Sequence, residues 1–350
     1  MTNAKWPELR ATLLVCAAAL IGGGIWEALG LPLGWLMGAA IATGIFAMRN
    51  VTVVLPKPIY VVSLASLGAS VGLAITPEVA WVMITWAPVM VFAALLGISL
   101  AVFAAPFLAR FGRMTLSSAF FSLLPGGVVE MANVGEGHGA DRTIVASLHA
   151  VRVALVVGLL PLGLFAFGHR EPMQVQEVAS LNGSVLVLTV ALGIFGGWIG
   201  TRLGLPAAWL LGALIAVGLA SSMGVIVGQM PDAPLAVVQV IVGISLGARF
   251  QRAQLSRIPA ALAAGLPVLV CITGAMTAIA ALASLAMPFP LATLVLCFSI
   301  GGMAEMVLTS KALGQGVALV AAFQAVRGVI VNACAGLVWR RVLAPRAHLT

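Results

Sequence analysis

The sequence predicts an all-α protein that crosses a membrane many times and consists of two related halves. Of the 350 residues, 62% are hydrophobic and only 8% are charged, and the mean hydropathy is +1.15, values outside the range of soluble globular proteins. Apolar runs of about 20 residues, the length that crosses about 30 Å of hydrocarbon, recur from one end of the chain to the other. The third observation is a repeat: residues 30–42 return as 204–216, identical at nine of thirteen positions.

Two further blocks belong to the same repeat. The sequence Ser-Leu-Gly-Ala at 66–69 returns at 245–248, and the Gly-Gly-x-x-Glu-Met block at 126–131 returns at 301–306. Three blocks kept in order predict that one unit was duplicated, with residues 1–175 as the first membrane repeat and 176–350 as the second. In a membrane protein, an internal repeat of this kind is the usual scaffold of a secondary transporter.

The apolar segments predict helices in the same order in both halves. The first segment resembles a signal peptide, but its counterpart lies in mid-chain, so we expect a retained helix. The first half has segments at about 11–29, 31–48, 58–75, 79–109, 115–134 and 143–168. The second half has them at about 183–201, 205–227, 233–248, 259–286, 290–310 and 317–338. Small-xxx-small pairs predict close helix contacts at 34 and 38, 68 and 72, 193 and 197, and 243 and 247.

The positions of the basic residues favour an inverted arrangement of the two halves. If all twelve segments crossed, the Lys and Arg residues would divide ten to six between the two sides. If segments 115–134 and 290–310 dip in and return, the second half is inverted, and fourteen basic residues share one side against Arg170 and Lys311. Positive charge marks the cytoplasmic side, which predicts a multi-pass protein of the bacterial inner membrane with both termini cytoplasmic. A broken helix that crosses, compensated by another segment that does not, also preserves the count.

The two segments that carry paired glycines are predicted to be interrupted helices. Pro125 removes a backbone donor, and the pairs Gly126-Gly127 and Gly301-Gly302 destabilise a helix by about 1 kcal/mol per glycine. Broken backbone at membrane depth persists only where protein or a water-filled cavity satisfies it. Such breaks are where transporters bind their cargo.

Four charged residues fall near these breaks or deep in the helices that follow them. Arg152 and Arg327 lie inside apolar segments, and Glu130 precedes the first at the same spacing as Glu305 precedes the second. A charge at the bilayer centre costs at least about 2.5 kcal/mol, so each should face a partner or water. We expect ion pairs within each half, or swapped between halves. They are either structural locks or a working site, in which a Glu exchanges a proton or binds a cation while an Arg holds an anionic substrate group.

One position differs between the halves in a way that bears on proton coupling. His149 corresponds to Gln324, which makes the first half the better candidate for a proton-linked step near neutral pH, although a lone helical histidine is more often a packing residue. The few histidines and cysteines have no ligand spacing, and no nucleophile elbow is present, so the sequence predicts no catalytic residues, no metal and no cofactor.

The basic residues are scattered between helices, which argues against nucleic acid as a partner. The expected partners are the lipid bilayer and a small molecule or ion, and the sequence leaves open whether the chain forms a homo-oligomer.

The repeated motifs, Leu-Pro-x-x-Trp-Leu-x-Gly, Ser-Leu-Gly-Ala and Gly-Gly-x-x-Glu-Met with its later Arg, resemble those of the bacterial AbrB-type membrane family over nearly the whole chain. Members of that family are labelled regulators of aidB expression or ammonia-monooxygenase-like proteins, and the soluble transition-state regulator of the same name is a different type of protein. The family is similar to the cation:proton antiporter and anion transporter superfamily. That similarity implies inverted five-helix repeats, interrupted helices at the centre, and a core bundle that moves against a scaffold.

The chain departs from the family pattern at one point. In the family a proline precedes the glycines in both copies, whereas Ile300 takes that position here, so we do not expect equal roles for the two interrupted segments. The sequence predicts a secondary transporter of a small solute, coupled to an ion or a proton. The alternative is a membrane-embedded sensor or regulator that transports nothing.

Overall fold

The structure, a computed structural model, describes residues 5–51, 53, 55–166 and 179–347. Within those ranges the chain is helical and has no β-strand; a single isolated bridge joins Ser180 to Gln229. Arg170 and the boundary between the predicted repeats lie outside the described residues.

Every predicted apolar segment contains a helix, and each Gly-Gly segment contains two. The first half forms α1 (Lys5–Ala28), α2 (Gly34–Met48), α3 (Lys57–Gly72), α4 (Pro77–Gly112), α5 (Leu116–Leu123), α6 (Val128–Glu136) and α7 (Arg142–Ala166). The second half forms α8 (Gly183–Arg202), α9 (Ala208–Ser222), α10 (Asp232–Gly247), α11 (Arg252–Leu255), α12 (Pro259–Ala283), α13 (Leu291–Phe298), α14 (Met303–Ala312) and α15 (Val317–Val338). A π-helical turn (Trp339–Leu343) and α16 (Ala344–Ala347) follow.

Seven spans in the described chain are long and apolar enough to cross a membrane: Arg10–Ala28, Pro77–Gly112, Arg142–Leu164, Gly183–Arg202, Asp232–Leu255, Pro259–Ala283 and Val317–Leu343. The apolar helices α2 and α9 are shorter, at 15 residues each. Large apolar side chains stand exposed along these helices; Phe103 on α4 is 81% exposed and Val187 on α8 is 68% exposed. Since water would penalise such a surface, lipid is its natural surrounding. The all-α, polytopic membrane fold is therefore confirmed.

Helices α2 and α9 begin in the same strained way. The residue before each helix has a left-handed backbone, with φ 58° at Leu33 and φ 45° at Ala207. Both occupy the position after Leu-Pro in the repeated motif. A left-handed conformation costs an L-residue about 1–2 kcal/mol, so the surrounding packing must hold both residues in it.

The described helices divide into two compact units. The first contains α1, α2, α3, α8, α9 and α10. Its helices approach closely at small residues: the backbone of Gly68 on α3 lies against the Leu210 carbonyl of α9, and Gly243 on α10 lies against the Leu36 carbonyl of α2. This is the close contact that the small-xxx-small pairs predict.

The second unit contains most of α4 and α7, with α5 and α6 between them, and α12 to α15. Each unit thus combines corresponding helices from both halves of the chain. The division at residues 175 and 176 describes the duplicated sequence and remains a prediction, as does the inversion of one half relative to the other.

Candidate functional site

The first Gly-Gly segment folds as a hairpin whose two ends meet. Helix α5 has eight residues and is about 12 Å long at 1.5 Å per residue, too short to cross the hydrocarbon. Its cap residue Thr115 accepts a hydrogen bond from the Ser118 amide at 3.2 Å. The hydroxyl of Ser118 accepts one from the Asp141 amide at 2.8 Å, which ties the start of α7 to the start of α5. The chain therefore leaves this hairpin, residues 115–141, at the end where it entered.

The two ends of the second Gly-Gly segment are also joined by hydrogen bonds. Thr293 in the first turn of α13 donates to Gln315 Oε1 at 2.7 Å and accepts from the Gly316 amide at 3.5 Å. Thr293 and Gly316 occupy the positions in the repeat that correspond to Ser118 and Asp141. Residues 290–316 therefore form a second hairpin. The sequence predicted both interruptions, and the structure shows that both segments return instead of crossing.

At the tip of each hairpin, a buried arginine binds one carbonyl at the end of the first half-helix and one between the paired glycines. Arg152 donates from Nη1 to the Leu124 carbonyl at 2.6 Å and from Nη2 to the Gly126 carbonyl at 3.1 Å. Arg152 is 1% exposed. The last carbonyls of a helix have no intrahelical partner and carry partial negative charge. A guanidinium satisfies both needs, because its planar fork reaches two acceptors at once.

The second arginine, at the corresponding position of the repeat, binds its hairpin in the same way. Arg327, 7% exposed, donates from Nη1 to the Ser299 carbonyl and from Nη2 to the Gly301 carbonyl, the latter at 2.7 Å. Each arginine lies well inside its helix, about 15 Å from the helix start at 1.5 Å per residue. If the open ends of the hairpins, which we call their mouths, lie at the membrane surface, both tips lie near the middle of the hydrocarbon.

On each of these helices, the side chain three residues before the arginine also binds a backbone carbonyl of the hairpin. The ring Nε2 of His149 lies 2.8 Å from the Phe121 carbonyl, and Nδ1 lies 3.2 Å from Arg152 Nη2. In the other half, Gln324 Nε2 donates to the Leu296 carbonyl at 2.9 Å and to that of Ser299 at 3.3 Å. His149 and Gln324 are therefore equivalent in position and in their first hydrogen bond.

The two glutamates lie at the starts of the second half-helices. Glu130 is the third residue of α6 and Glu305 the third of α14, where a carboxylate is favoured by the helix dipole. Each side chain folds back over its capping glycine: a Cβ added to Gly127 would lie 2.7 Å from Glu130 Cδ, and one added to Gly302 would lie 3.0 Å from Glu305 Cδ. A side chain at the second glycine of either pair would therefore displace the carboxylate that covers it.

The two guanidinium groups form hydrogen bonds with the backbone and interact with other charges at longer range. Arg152 donates to the carbonyls of Leu124 and Gly126, and Arg327 donates to those of Ser299 and Gly301. The charges still interact at longer range: Arg152 interacts electrostatically with Glu305 and Arg327 with Arg152. Helix α15 also packs against α6. The tips of the two hairpins are therefore neighbours, and the interaction of Arg152 with Glu305 joins opposite charges from the two halves. Direct pairing of the arginines with the glutamates stays a prediction.

Three buried polar atoms at the tips have no hydrogen-bond partner among the described residues: Nε of Arg152, Nε of Arg327 and Oε1 of Gln324. Buried polar groups are normally satisfied by protein or ordered water. Two donors and one acceptor at the tips therefore remain unsatisfied by the described residues.

Some of the residues that build the hairpins carry no sequence signal for a site. The hydroxyls of Ser118 and Thr293 close the hairpin mouths, and the carbonyls of Leu124 and Ser299 hold the arginines. Only the constant offset between corresponding positions of the two halves could have pointed to them. Within the described chain no group of three His, Cys, Asp or Glu side chains could hold a metal ion.

These features define a polytopic helical membrane protein with two interrupted-helix hairpins in one of its units, each with an arginine and a glutamate at its tip. The family model described as "Transition state regulatory protein AbrB" matches residues 35–343. The chain therefore belongs to the AbrB family, in agreement with the resemblance of its repeated motifs.

Two relatives extend the comparison. The chain is 25% identical over 250 residues to "Putative regulator AbrB" of Escherichia coli (strain K12), which covers 70% of this chain and 71% of that protein. It is 26% identical over 355 residues to "Uncharacterized protein YhjN" of Bacillus subtilis (strain 168), covering 94% of this chain and 92% of the relative. The similarity to the second relative extends over nearly the full length of both chains.

Proposed function

We propose that this protein is a secondary transporter of a small solute, coupled to an ion or a proton, and that the tips of the two hairpins form its substrate and coupling site. The observation that carries the proposal is the pair of interrupted helices with charged side chains at the breaks. Such breaks near the membrane centre are characteristic of secondary transporters, because their half-helix ends present free backbone groups to a substrate or ion.

The charges at the tips suit a coupled carrier. The arginines stay positive across the physiological pH range because guanidinium does not release its proton there, whereas a carboxylate can take up a proton or bind a cation. Two arginines and two ionised glutamates balance, and loading one glutamate leaves an excess positive charge. That excess favours an anionic group at the unused arginine Nε donors, so loading of the ion and of the solute would be linked.

The placement of the basic residues supports the rest of the proposal. We infer a bacterial inner-membrane location, cytoplasmic N- and C-termini, and a second half inverted relative to the first. The two hairpins would then enter from opposite sides of the bilayer and meet at its centre. No catalytic residue is assigned, and the lipid bilayer and the solute are the partners.

The experiment is a flux measurement in proteoliposomes that contain the pH-sensitive dye pyranine. Carboxylates, amino acids and amines are added outside, one class at a time. At least one class should produce a proton movement, or an uptake that depends on an added cation, that empty liposomes lack, and Glu130→Gln and Glu305→Gln should lower its rate or change its dependence on pH or on that cation. Glu136→Gln is the matched control, because Glu136 lies away from the tips. Its side chain is 60% exposed and pairs with Arg142 at a distance of 3.6 Å. Unchanged rate and pH dependence in both tip variants would refute the role of the glutamates.

The second candidate is a membrane-embedded sensor or regulator, and the name of the Escherichia coli relative favours it. Deletion of the gene followed by parallel measurement of exported metabolites and of transcripts separates the two candidates. A change in the solute pools without a change in transcripts supports transport. A change in transcripts with no change in the solute pools supports regulation, provided that the same transcripts also change in a strain that carries the protein with both tip glutamates replaced.

A further inference from the structure

The two hairpins differ in one buried side chain that binds the first half-helix, which is His149 in the first and Gln324 in the second. The ring of His149 is fully buried, at 0% exposure. Nε2 faces the Phe121 carbonyl, which can only accept, so Nε2 carries the hydrogen and donates it. Nδ1 faces Arg152 Nη2, which can only donate, so Nδ1 must be the unprotonated acceptor. The contacts therefore specify a neutral imidazole with its hydrogen on Nε2.

A proton added to Nδ1 would break this arrangement. The imidazolium would present an N–H group to the Arg152 N–H group 3.2 Å away, which removes the hydrogen bond and brings two positive charges into contact. The charged groups of the neighbouring elements are Glu130 on α6, Glu305 on α14 and Arg327 on α15. Glu305 interacts electrostatically with Arg152, and so does Arg327 with the opposite sign. Arg152 is in direct contact with the ring, so its repulsion decides the outcome.

The second hairpin has no such sensitivity. Gln324 makes the equivalent bond to the Leu296 carbonyl through an amide that does not titrate. Its Oε1 has no hydrogen-bond partner among the described residues and makes no contact with Arg327 that corresponds to the His149–Arg152 bond. The same hydrogen bond to a half-helix is therefore pH-sensitive in one copy and pH-insensitive in the other.

We propose that His149 is a proton-sensitive positioning residue: in its neutral form it holds Arg152 on the carbonyls of the first hairpin tip, and protonation releases Arg152 and opens that tip alone. The inference rests on the proposed function only for its use in coupling, where acid would loosen one side of the site while the other stays closed. The opening itself is a property of the protein without substrate.

Amide hydrogen exchange tests the proposal on the full-length protein in lipid nanodiscs, with no solute added. Exchange at residues 124–131 and 299–306 is measured between about pH 5 and pH 8, the range in which histidine titrates, and is corrected for the intrinsic effect of pH. The wild type should lose protection at residues 124–131 toward acid, by up to about tenfold for each pH unit if one proton is coupled to opening. Residues 299–306 should keep their protection.

The control variants place the residue of one half at the corresponding position of the other half. His149→Gln retains a donor for the Phe121 carbonyl and should abolish the acid response, whereas Gln324→His should create one at residues 299–306. If His149→Gln fails to fold, the comparison of the two hairpins in the wild type still decides. An equal acid response in both hairpins, or a full response in His149→Gln, overturns the proposal.

A parallel measurement of flux in proteoliposomes distinguishes failure of this proposal from failure of the proposed transport function. Acid opening of the first hairpin in a protein that carries no solute would refute transport and leave the role of His149 intact. Flux whose pH profile is the same in the wild type and in His149→Gln, with no difference between the hairpins in exchange, would refute the role of His149 and leave transport intact.

Discussion

Replacement of Arg327 tests the central structural contact of the second hairpin. Its guanidinium binds the carbonyls of Ser299 and Gly301, and a hydrogen bond to a charged group contributes about 1.5–3 kcal/mol. Arg327→Met removes both bonds and should destabilise the protein by about 3–6 kcal/mol. Part of the loss at Ser299 is offset, because Gln324 also donates to that carbonyl at 3.3 Å, but the Gly301 carbonyl loses its charged partner. Arg327→Lys should lose about half as much, since an ammonium lacks the fork that reaches two carbonyls.

The assay is thermal unfolding in detergent, followed by intrinsic fluorescence. One kcal/mol shifts Tm by about 2–4 °C in proteins of about 150–250 residues, so we expect Arg327→Met to lower the apparent Tm by at least about 5 °C. The control is Arg202→Met: Arg202 is exposed on α8 and lies 4.9 Å from the Trp198 ring centroid, a contact worth about 0.5–1 kcal/mol. If Arg327→Met melts within about 1 °C of the wild type, a shift worth well under about 1 kcal/mol, the carbonyl contacts do not hold the hairpin.

Two further predictions concern backbone positions. Gly127→Ala should displace the Glu130 carboxylate, because the new Cβ would lie 2.7 Å from Glu130 Cδ. We expect proteoliposome flux to fall at least about tenfold, because misplacement of a functional group has effects of this size. The control Gly158→Ala has open space at its Cβ and should transport normally. Ala207→Gly should raise thermal stability by up to about 1 kcal/mol by relieving the left-handed strain at φ 45°. Ala220→Gly inside α9 should lower it by about 1 kcal/mol, and a shift of both variants in the same direction would contradict this reasoning.

Local sequence rules were sufficient to place the breaks. The pair Gly126-Gly127 and its repeat at Gly301-Gly302 interrupt helices because paired glycines and, in the first copy, a preceding proline weaken the hydrogen-bond ladder. The depth of Arg152 and Arg327 in apolar segments also marked them correctly as residues in need of a partner.

The identity of the partners was beyond sequence reasoning. A glutamate is visible as a residue type, whereas the carbonyls of Leu124 and Ser299 become acceptors for an arginine only once a half-helix ends beside it. For this reason the sequence predicted pairing of opposite charges and gave no sign of the contacts with backbone carbonyls. The grouping of α1–α3 with α8–α10 was equally hidden, because it depends on which small-residue faces meet and not on the period within any helix.

The orientation of the two halves is the claim on which the transport proposal depends most. Thr76 and Arg252 are both exposed and lie in the segments that follow the two copies of Ser-Leu-Gly-Ala. In a background with Cys16, Cys271, Cys297 and Cys334 replaced, Thr76→Cys and Arg252→Cys are treated in whole cells with a maleimide that cannot cross the inner membrane. An inverted repeat predicts labelling of the Thr76→Cys protein alone, with Arg252→Cys labelled only after permeabilisation. Labelling of both proteins in intact cells would show that the halves run in parallel.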